Sequence, residues 1–488
     1  MIKNIKWILF ASLAIVSCSQ DQEDTSGIEP EVAVSAGSVD FSRYVALGNS
    51  ITAGYTDKAL FKAGQAFAYP KLMADQFATV GGGEFKTPFM NDNYGGLLLA
   101  GLPVQGVRLV FNGTAPVSLP GAAPTTEITN FLTGGFNNMG VPGAKSYHLL
   151  APGYGNPAGL LTSPATANPY FVRFASNGTT SVLADAMAQS PTFFSLWIGN
   201  NDVLGYATSG GDGSDPITPV SGAPGAGFDG TYAALISTLT SAGAKGVVAN
   251  IPDVTTIPFV TYVGYNPIPE LTQAQVDQLN AGYAAYNGGL VAAKNLGLIS
   301  EEERLQRTIV FTAGKKRPVV MLDEYLTDIT AVNPALIKMR LSTPEDYVIL
   351  SYQGGNPQTH LAAGNGTQFP LQDGWVLSKN EVQEIRTATA AYNEIIKAQA
   401  EAKGLAFVDA AAIMNQVANG GILVGNYHFT NQFIQGGAFG LDGVHLTPRA
   451  NAYVANKFLE AIEKTYGASF KKYKVQDFPI SYPSFLPN

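Results

Sequence analysis

Runs in which nearly every position is apolar recur at 44–47, 192–198, 246–251 and 405–408, and a further strand is expected just before Asn138. They are short and continuous rather than alternating, as in strands covered on both faces of a parallel sheet. Helical spacing fills much of the chain between them. Residues 66–77 carry it around Pro70, a residue best tolerated in a helix's first turn. A helix over 231–242 leads through Gly243 into the run at 246–251. Ser378-Lys-Asn-Glu381 reads as a capping box that opens a long helix with Val382, Ile385, Tyr392 and Ile396 on one face, ending before Gly404. Thr447-Pro448 supplies an N-cap and first-turn proline for a last helix, which presents Val454, Phe458 and Ile462 on one side and stops at Gly467. Strands alternating with helices predict an α/β fold, a three-layer α/β/α sandwich on about five parallel strands with function at their C-terminal ends.

Two stretches break the alternation. From about 80 to 129 the pattern becomes Gly/Pro-rich loop with one hairpin candidate, in which Val107 to Phe111 turns at Asn112-Gly113 and resumes at Val117. From 255 to 375 a polar-faced helix over 272–296, a hairpin around 313–317 and Gly-rich loops near Gly354 and Gly364 are expected. Both read as insertions into the core. Lys315-Lys316-Arg317 is a solvated turn tip. Residues 207–227 form a loop whose Asp212 and Asp215 lack the ligand spacing of a known calcium loop. No internal repeat is present.

Composition then narrows the class. At 488 residues the chain is long enough for two or three average domains or one large domain with insertions. Charged residues are 14% of it, against about 25% in ordinary soluble domains, and Gly, Tyr and Phe are plentiful, which suits a loop-rich exported protein. A formal net charge of −8 argues against nucleic acid as a partner. Lys3 and Lys6 precede an apolar stretch, residues 7–16, that is too short to span a bilayer, and Ser17 puts a small residue before Cys18. Residues 15–18 resemble a bacterial lipobox, in which the cysteine is lipidated; an ordinary signal peptide is the alternative. Cys18 is the only cysteine, so no intramolecular disulfide is possible. Residues 19–40 are polar and aperiodic and read as a flexible tether. The acidic cluster at 21–24 looks like the surface-export signal of Bacteroidetes lipoproteins, or is simply a solvated linker.

The chemistry starts at Gly48-Asn-Ser50-Ile-Thr-Ala-Gly54, where an apolar run ends and a serine follows at once. Ser50 is the candidate nucleophile, although a Gly-Asn-Ser turn is often only a turn. A serine needs a base to take its proton and a carboxylate to orient that base. Asp442 and His445 lie three apart just before the last helix, close enough for the acid to hold one ring nitrogen and leave the other free. The four histidines are His148, His360, His428 and His445. His148 follows the turn at Gly143, His360 and His428 sit in loop-like contexts without a comparable acid, and elimination leaves His445 as the base. Asp-x-x-His is also a metal half-site, but no second ligand cluster accompanies it.

Four ordered blocks now resemble the SGNH (GDSL) hydrolase family: residues 48–54 the nucleophile block, 138–143 the glycine block, 199–202 the asparagine block and 442–445 the Asp-x-x-His block. The resemblance implies a flavodoxin-like core in which Ser50 attacks an ester carbonyl, His445 acts as base then acid, and Asp442 orients it. It further implies an oxyanion hole made by the N–H groups of Ser50 and Gly143 and the amide of Asn201. Two departures stand out. Asn49 replaces the family's usual aspartate, and 240 positions separate Asp202 from Asp442. Threonine at position 52 also argues against the Gly-x-Ser-x-Gly elbow of α/β-hydrolases.

The expected organisation is a signal peptide over 1–18, a tether over 19–40, a hydrolase domain over 41–467 and a C-terminal tail over 468–488. The expected protein is an esterase or lipase anchored to the outer membrane, with an ester as substrate and no metal or organic cofactor. Phe89, Leu97, Leu98, Leu99 and Phe259 could line an acyl groove or merely pack the insertions on the core. A carbohydrate O-acetyl esterase of the same mechanism and a surface binding protein without turnover are the rival readings.

Overall fold

The structure is a computed structural model, described here for residues 33–353 and 363–487; Cys18, its signal sequence, most of the tether and His360 lie outside the described residues. Five strands form one sheet: β1 (Tyr44–Gly48), β2 (Asn138–Gly140), β3 (Phe193–Trp197), β4 (Lys245–Ala249) and β5 (Ala406–Val408). Their order across the sheet is β5-β4-β3-β1-β2 and every pairing is parallel. This is a doubly wound arrangement with its first reversal between β1 and β3, where such sheets leave a crevice at the strands' C-terminal ends.

The helices that matter below are α1 (Ser50–Ala53), α2 (Tyr69–Ala78), α3 (Val182–Ala188), α4 (Asn201–Thr208), α5 (Phe228–Leu239), α6 (Gln273–Asn295), α7 (Lys379–Lys403), α8 (Ala410–Ala418) and α9 (Pro448–Tyr466). All of β1 is buried, and its side chains divide by parity: Tyr44 and Ala46 join one apolar cluster, Val45 and Leu47 another. The first cluster is closed by α2 and α9, with Phe458 against Tyr69 at 4.8 Å and Phe41 stacked on Phe77 at 4.1 Å between ring centroids. The second is closed by α3, α5 and α7, where Phe228 stacks on Tyr392 at 4.1 Å. Two buried faces explain why the strands read as continuous apolar runs.

The expected boundaries hold to within a few residues. Strand β2 contains Asn138 where a strand was expected to precede it. The capping box at the start of α7 is made in both directions, and Gly404 and Gly467 end α7 and α9 in the left-handed conformation. The hairpin at 107–117 is present as Leu109–Phe111 paired with Pro116–Ser118. The hairpin expected around 313–317 is not. Gly314–Arg317 pairs instead with Ile268–Leu271, on the far side of α6 in sequence, because Ile309 and Phe311 beside it are drawn into a separate apolar cluster built on α6. That cluster gives the second insertion a core of its own.

The two ends of the described chain also depart from expectation. Ser35 pairs with Ser469 and Val39 is buried, so the tether's last residues are part of the fold. Residues 468–487 are no loose tail. Phe470 is buried with Phe41 and Phe77, Tyr482 packs edge-on to Phe61 at 4.9 Å and donates to the Ala63 carbonyl, and Arg108 donates to the carbonyl of Pro483. Tyr482→Ala is therefore expected to cost about 3 kcal/mol in urea unfolding, the range for removing a buried aromatic ring, whereas a change in a solvated tail would stay within about 0.5 kcal/mol.

Candidate active site

Because β1, β2 and β3 run parallel, the turns that follow them meet at one edge of the sheet. Ser50 lies just past β1, Gly143 past β2 and Asn201 past β3. Tight approach of backbone to backbone brings them together: a Cβ on Gly140 would lie 2.3 Å from the amide nitrogen of Ala53, so only glycine lets α1 rest on β2. Asn138 reinforces the contact, donating to the Thr52 carbonyl at 2.9 Å.

The fourth turn, at the loop before α9, delivers the partners of Ser50. Its Oγ is 2.9 Å from His445 Nε2, and His445 Nδ1 is 2.9 Å from Asp442 Oδ2. Asp442 receives three further hydrogen bonds, from the backbone N–H groups of Val444 and His445 at 2.9 Å and of Lys58 at 2.8 Å. Burial would raise its pKa, but the imidazole and these donors outweigh it and hold the carboxyl well below the usual carboxylate range. An ionised carboxylate is an acceptor only, so Nδ1 must carry the ring proton and Nε2 faces Ser50 with its lone pair. A base so placed can take the serine proton.

Several supporting groups were not legible in the sequence. Asp57 and Lys58 both have positive φ, 50° and 66°, a costly conformation that aims the Lys58 N–H at Asp442. Tyr55 braces that turn by donating to the Lys58 carbonyl at 2.6 Å, and its ring lies 4.7 Å from that of His445. Buried Asp57 accepts from the Leu441 N–H at 2.7 Å, joining the same turn to the loop of Asp442. Desolvation, aided by the nearby charge of Asp442, pushes the Asp57 carboxyl up to about 7. No pattern at 55–58 marks these roles, since each depends on a loop nearly four hundred positions away.

Opposite the imidazole, neither the Ser50 nor the Gly143 N–H meets an acceptor among the described residues. The Asn201 amide donates to the Ala144 carbonyl at 2.9 Å, which holds it beside the Gly143 turn. Asp202, fully buried, accepts from the Ser146 N–H at 2.8 Å and its hydroxyl at 2.6 Å, fastening the same turn to α4. Asn49 caps α1 by accepting from Ile51 at 3.1 Å and donates to Asn200 at 3.3 Å. An aspartate could keep the second contact only as the acceptor, with the Asn200 amide turned to donate.

His148 and His428 take no part. Tyr154 stacks on His148 at 4.6 Å, and burial first, then Lys145, lowers its pKa to about 4; His428 sits on an exposed hairpin with Nε2 2.7 Å from the Gly420 carbonyl.

The site opens on an apolar cavity of about 100 Å³ lined by Ser50, His445 and Asn201 and, deeper, by Val254, Ile257, Met414, Val417 and Phe439. The groove expected from Phe89, Leu97, Leu98, Leu99 and Phe259 is absent. Leu97 is buried in a satellite cluster, Phe89 is exposed, and Phe259 supports the loop of Asp442 by donating from its N–H to Gly443 at 3.0 Å. The lining comes instead from α8 and the start of the second insertion, which no local pattern distinguishes from ordinary core. No family model, curated protein or solved structure matches the chain.

Asp57 sets a pH dependence. Its native pKa is raised, so its contribution to stability is full below the unfolded value near about 3.9 and is lost as pH rises through about 7. Asp442 works oppositely, and only below about pH 4, as its lowered pKa is approached. Buried neutral His148 contributes the opposite trend between about pH 4 and 6.5, so the test is the difference: Asp57→Asn, which keeps the oxygen that accepts from Leu441, should give a more positive slope of denaturant stability between pH 4 and 7 than the wild type. An unchanged slope in the variant would refute the assignment.

Proposed function

We propose that this chain is a serine esterase of the SGNH hydrolase type that cleaves carboxylic esters with an apolar acyl group. One observation carries the reading: the unbroken relay Asp442–His445–Ser50, with both contacts at 2.9 Å, opening on an apolar cavity. The sheet order and the four sequence blocks support it.

In the proposed reaction the substrate carbonyl lies over Ser50 with its acyl chain in the cavity. Ser50 Oγ attacks as His445 Nε2 takes its proton, and the imidazolium is stabilised by Asp442. The oxyanion is met by the N–H groups of Ser50 and Gly143 and by the Asn201 amide, which leaves the Ala144 carbonyl to reach it. His445 returns the proton to the departing alcohol. It then draws a proton from water, whose oxygen attacks the acyl-enzyme, and protonates Ser50 as the acid leaves. Attack, proton transfer and charge stabilisation all use groups of this chain, so the proposal calls for no cofactor.

The same proposal anchors the enzyme to the outer membrane through a lipid on Cys18. It rests on residues 3–18 of the sequence; among the described residues no helix is long and apolar enough to cross a membrane. Cys18→Ala should then move the protein from the membrane to the soluble fraction of its host, and an unchanged membrane fraction would remove the anchor.

Hydrolysis of p-nitrophenyl esters from acetyl to palmitoyl tests the chemistry. Ser50→Ala and His445→Ala should reduce kcat by at least about 10⁴-fold, and Asn201→Ala by about 10²- to 10³-fold with little change in KM. Met414→Trp, which fills the cavity, should shift the chain-length optimum downward. Strict preference for acetyl in the wild type would favour a glycan O-acetyl esterase. A folded but inert wild type, inactive on glycan acetates too, would leave a binding protein.

A further inference from the structure

A second cluster of acids, away from the proposed active site, lies where the second insertion joins the core. One carboxylate oxygen from each of Glu324, Asp373 and Glu381 can be chosen so that all three lie within 4.8 Å of one another. They come from three separate segments: the turn after strand Val320–Leu322, the short helix Asp373–Trp375, and the first turn of α7. Like charges so close are unfavourable unless something between them is positive or some of them are protonated.

The insertion deals with its other buried acids in a consistent way. Arg340 holds both Asp323, at 2.5 Å, and Asp346, at 2.6 Å, and Arg307 holds Glu303 at 3.2 Å. Among the described residues, Glu324, Asp373 and Glu381 have no such partner; Lys338, the nearest candidate, donates at 2.8 Å to the backbone carbonyl of Glu324 and not to its carboxylate.

Glu381 makes the gap specific. It is only 1 % exposed, its Oε2 accepts from the Ser378 N–H at 2.5 Å in the capping box, and among the described residues its buried Oε1 has no hydrogen-bond partner. A buried carboxylate oxygen left so costs several kcal/mol. The backbone is shaped around that oxygen: a Cβ on Gly211, whose φ is +75°, would lie 1.9 Å from it, and one on Gly210 would lie 2.3 Å from the Asp373 carbonyl. A fourth acid, Asp212, lies next to the Asp373–Trp375 helix, with Oδ2 3.6 Å from where a Cβ on Gly374 would sit.

We propose that Glu324, Asp373 and Glu381, with Asp212 beside them, bind a divalent cation of the calcium class that clips the second insertion to the core. An all-oxygen set dominated by carboxylates from three separate segments suits calcium, which accepts irregular oxygen geometry, better than magnesium, which demands a near-ideal octahedron. The ion would restore Glu381 Oε1 its missing partner and fix the Gly210-Gly211 turn, which follows directly on α4, the helix that begins with Asn201. Its role is to hold parts together, at a distance from the esterase chemistry.

The alternative is a cluster held by protons. The full-length protein, dialysed against EDTA and then against chelator-free buffer at pH 7.5, should bind one equivalent of calcium in calorimetry with CaCl₂. Its melting temperature should rise by about 3 °C or more at saturation, with magnesium giving less. Glu381→Gln should abolish the rise. Glu324→Gln, at an exposed position where folding is safe, should weaken binding at least tenfold. No heat and no rise with millimolar calcium in the stripped wild type would overturn the site in favour of protons. A response of equal size in both variants would place the ion elsewhere and overturn it as well.

Discussion

The buried carboxylate of Asp442 is the point on which the architecture converges. Its side chain is 9 % exposed yet ionised, and four donors keep it so: two N–H groups of its own loop, the His445 ring and the N–H of Lys58. Three of these come with Asp442 itself, since a carboxylate three residues before a histidine turns the loop back on itself. The fourth is delivered from the turn after α1 by a strained backbone, and it is the one that ties the loop to the sheet. Losing it would free the imidazole to rotate away from Ser50. The strain at Asp57 and Lys58 is thus matched to a geometric requirement, and the neighbouring protonatable Asp57 adds a second bond across the same joint.

What the sequence disclosed follows the range of the forces involved. Strands β1, β3, β4 and β5 were legible because burial on both faces removes polar positions from them, whereas β2, which carries Asn138, was placed too early; α7 and α9 were legible because their caps are local chemistry. Ser50, Asp442 and His445 were legible together, because four short blocks in order are specific where no one of those turns is. Pairings between remote segments were not. Gly314–Arg317 finds Ile268–Leu271 only after α6 has folded between them, and Tyr482 is recognisable as core only when Phe61 is beside it. The cavity wall fails for the same reason. Met414 and Val417 form an ordinary apolar face of α8 until the structure leaves part of that face uncovered next to His445.

The second insertion is more than an ornament on a small sheet. It has its own apolar cluster around Tyr283, Leu290 and Met339, and it meets the core both through apolar residues such as Val260 and Ile349, which join the core's cluster, and through polar joints. Asp346 accepts from the Lys379 N–H at 2.9 Å at the start of α7, and Tyr206 on α4 and Tyr325 in the insertion both donate to Glu384. Residues 254–257, at the insertion's beginning, line the cavity. An insertion joined this way can adjust the shape of the proposed acyl site without disturbing the sheet.

A chain with few charged residues has little reason to bury acids, and burying one unmatched costs several kcal/mol. Apart from Glu381, the buried acids are matched, each differently, and the match tells its use. Asp323 and Asp346 meet a permanently charged guanidinium, a static joint. Asp202 meets a serine hydroxyl and N–H, and sets the distance between two turns. Asp57 sits where a proton is as good as a charge. Only Asp442 is matched by an imidazole, whose second nitrogen points at a hydroxyl. A proton can leave Ser50 without stranding a charge because that acid is already compensated before and after the transfer, and no other buried acid described in this fold could perform the same exchange.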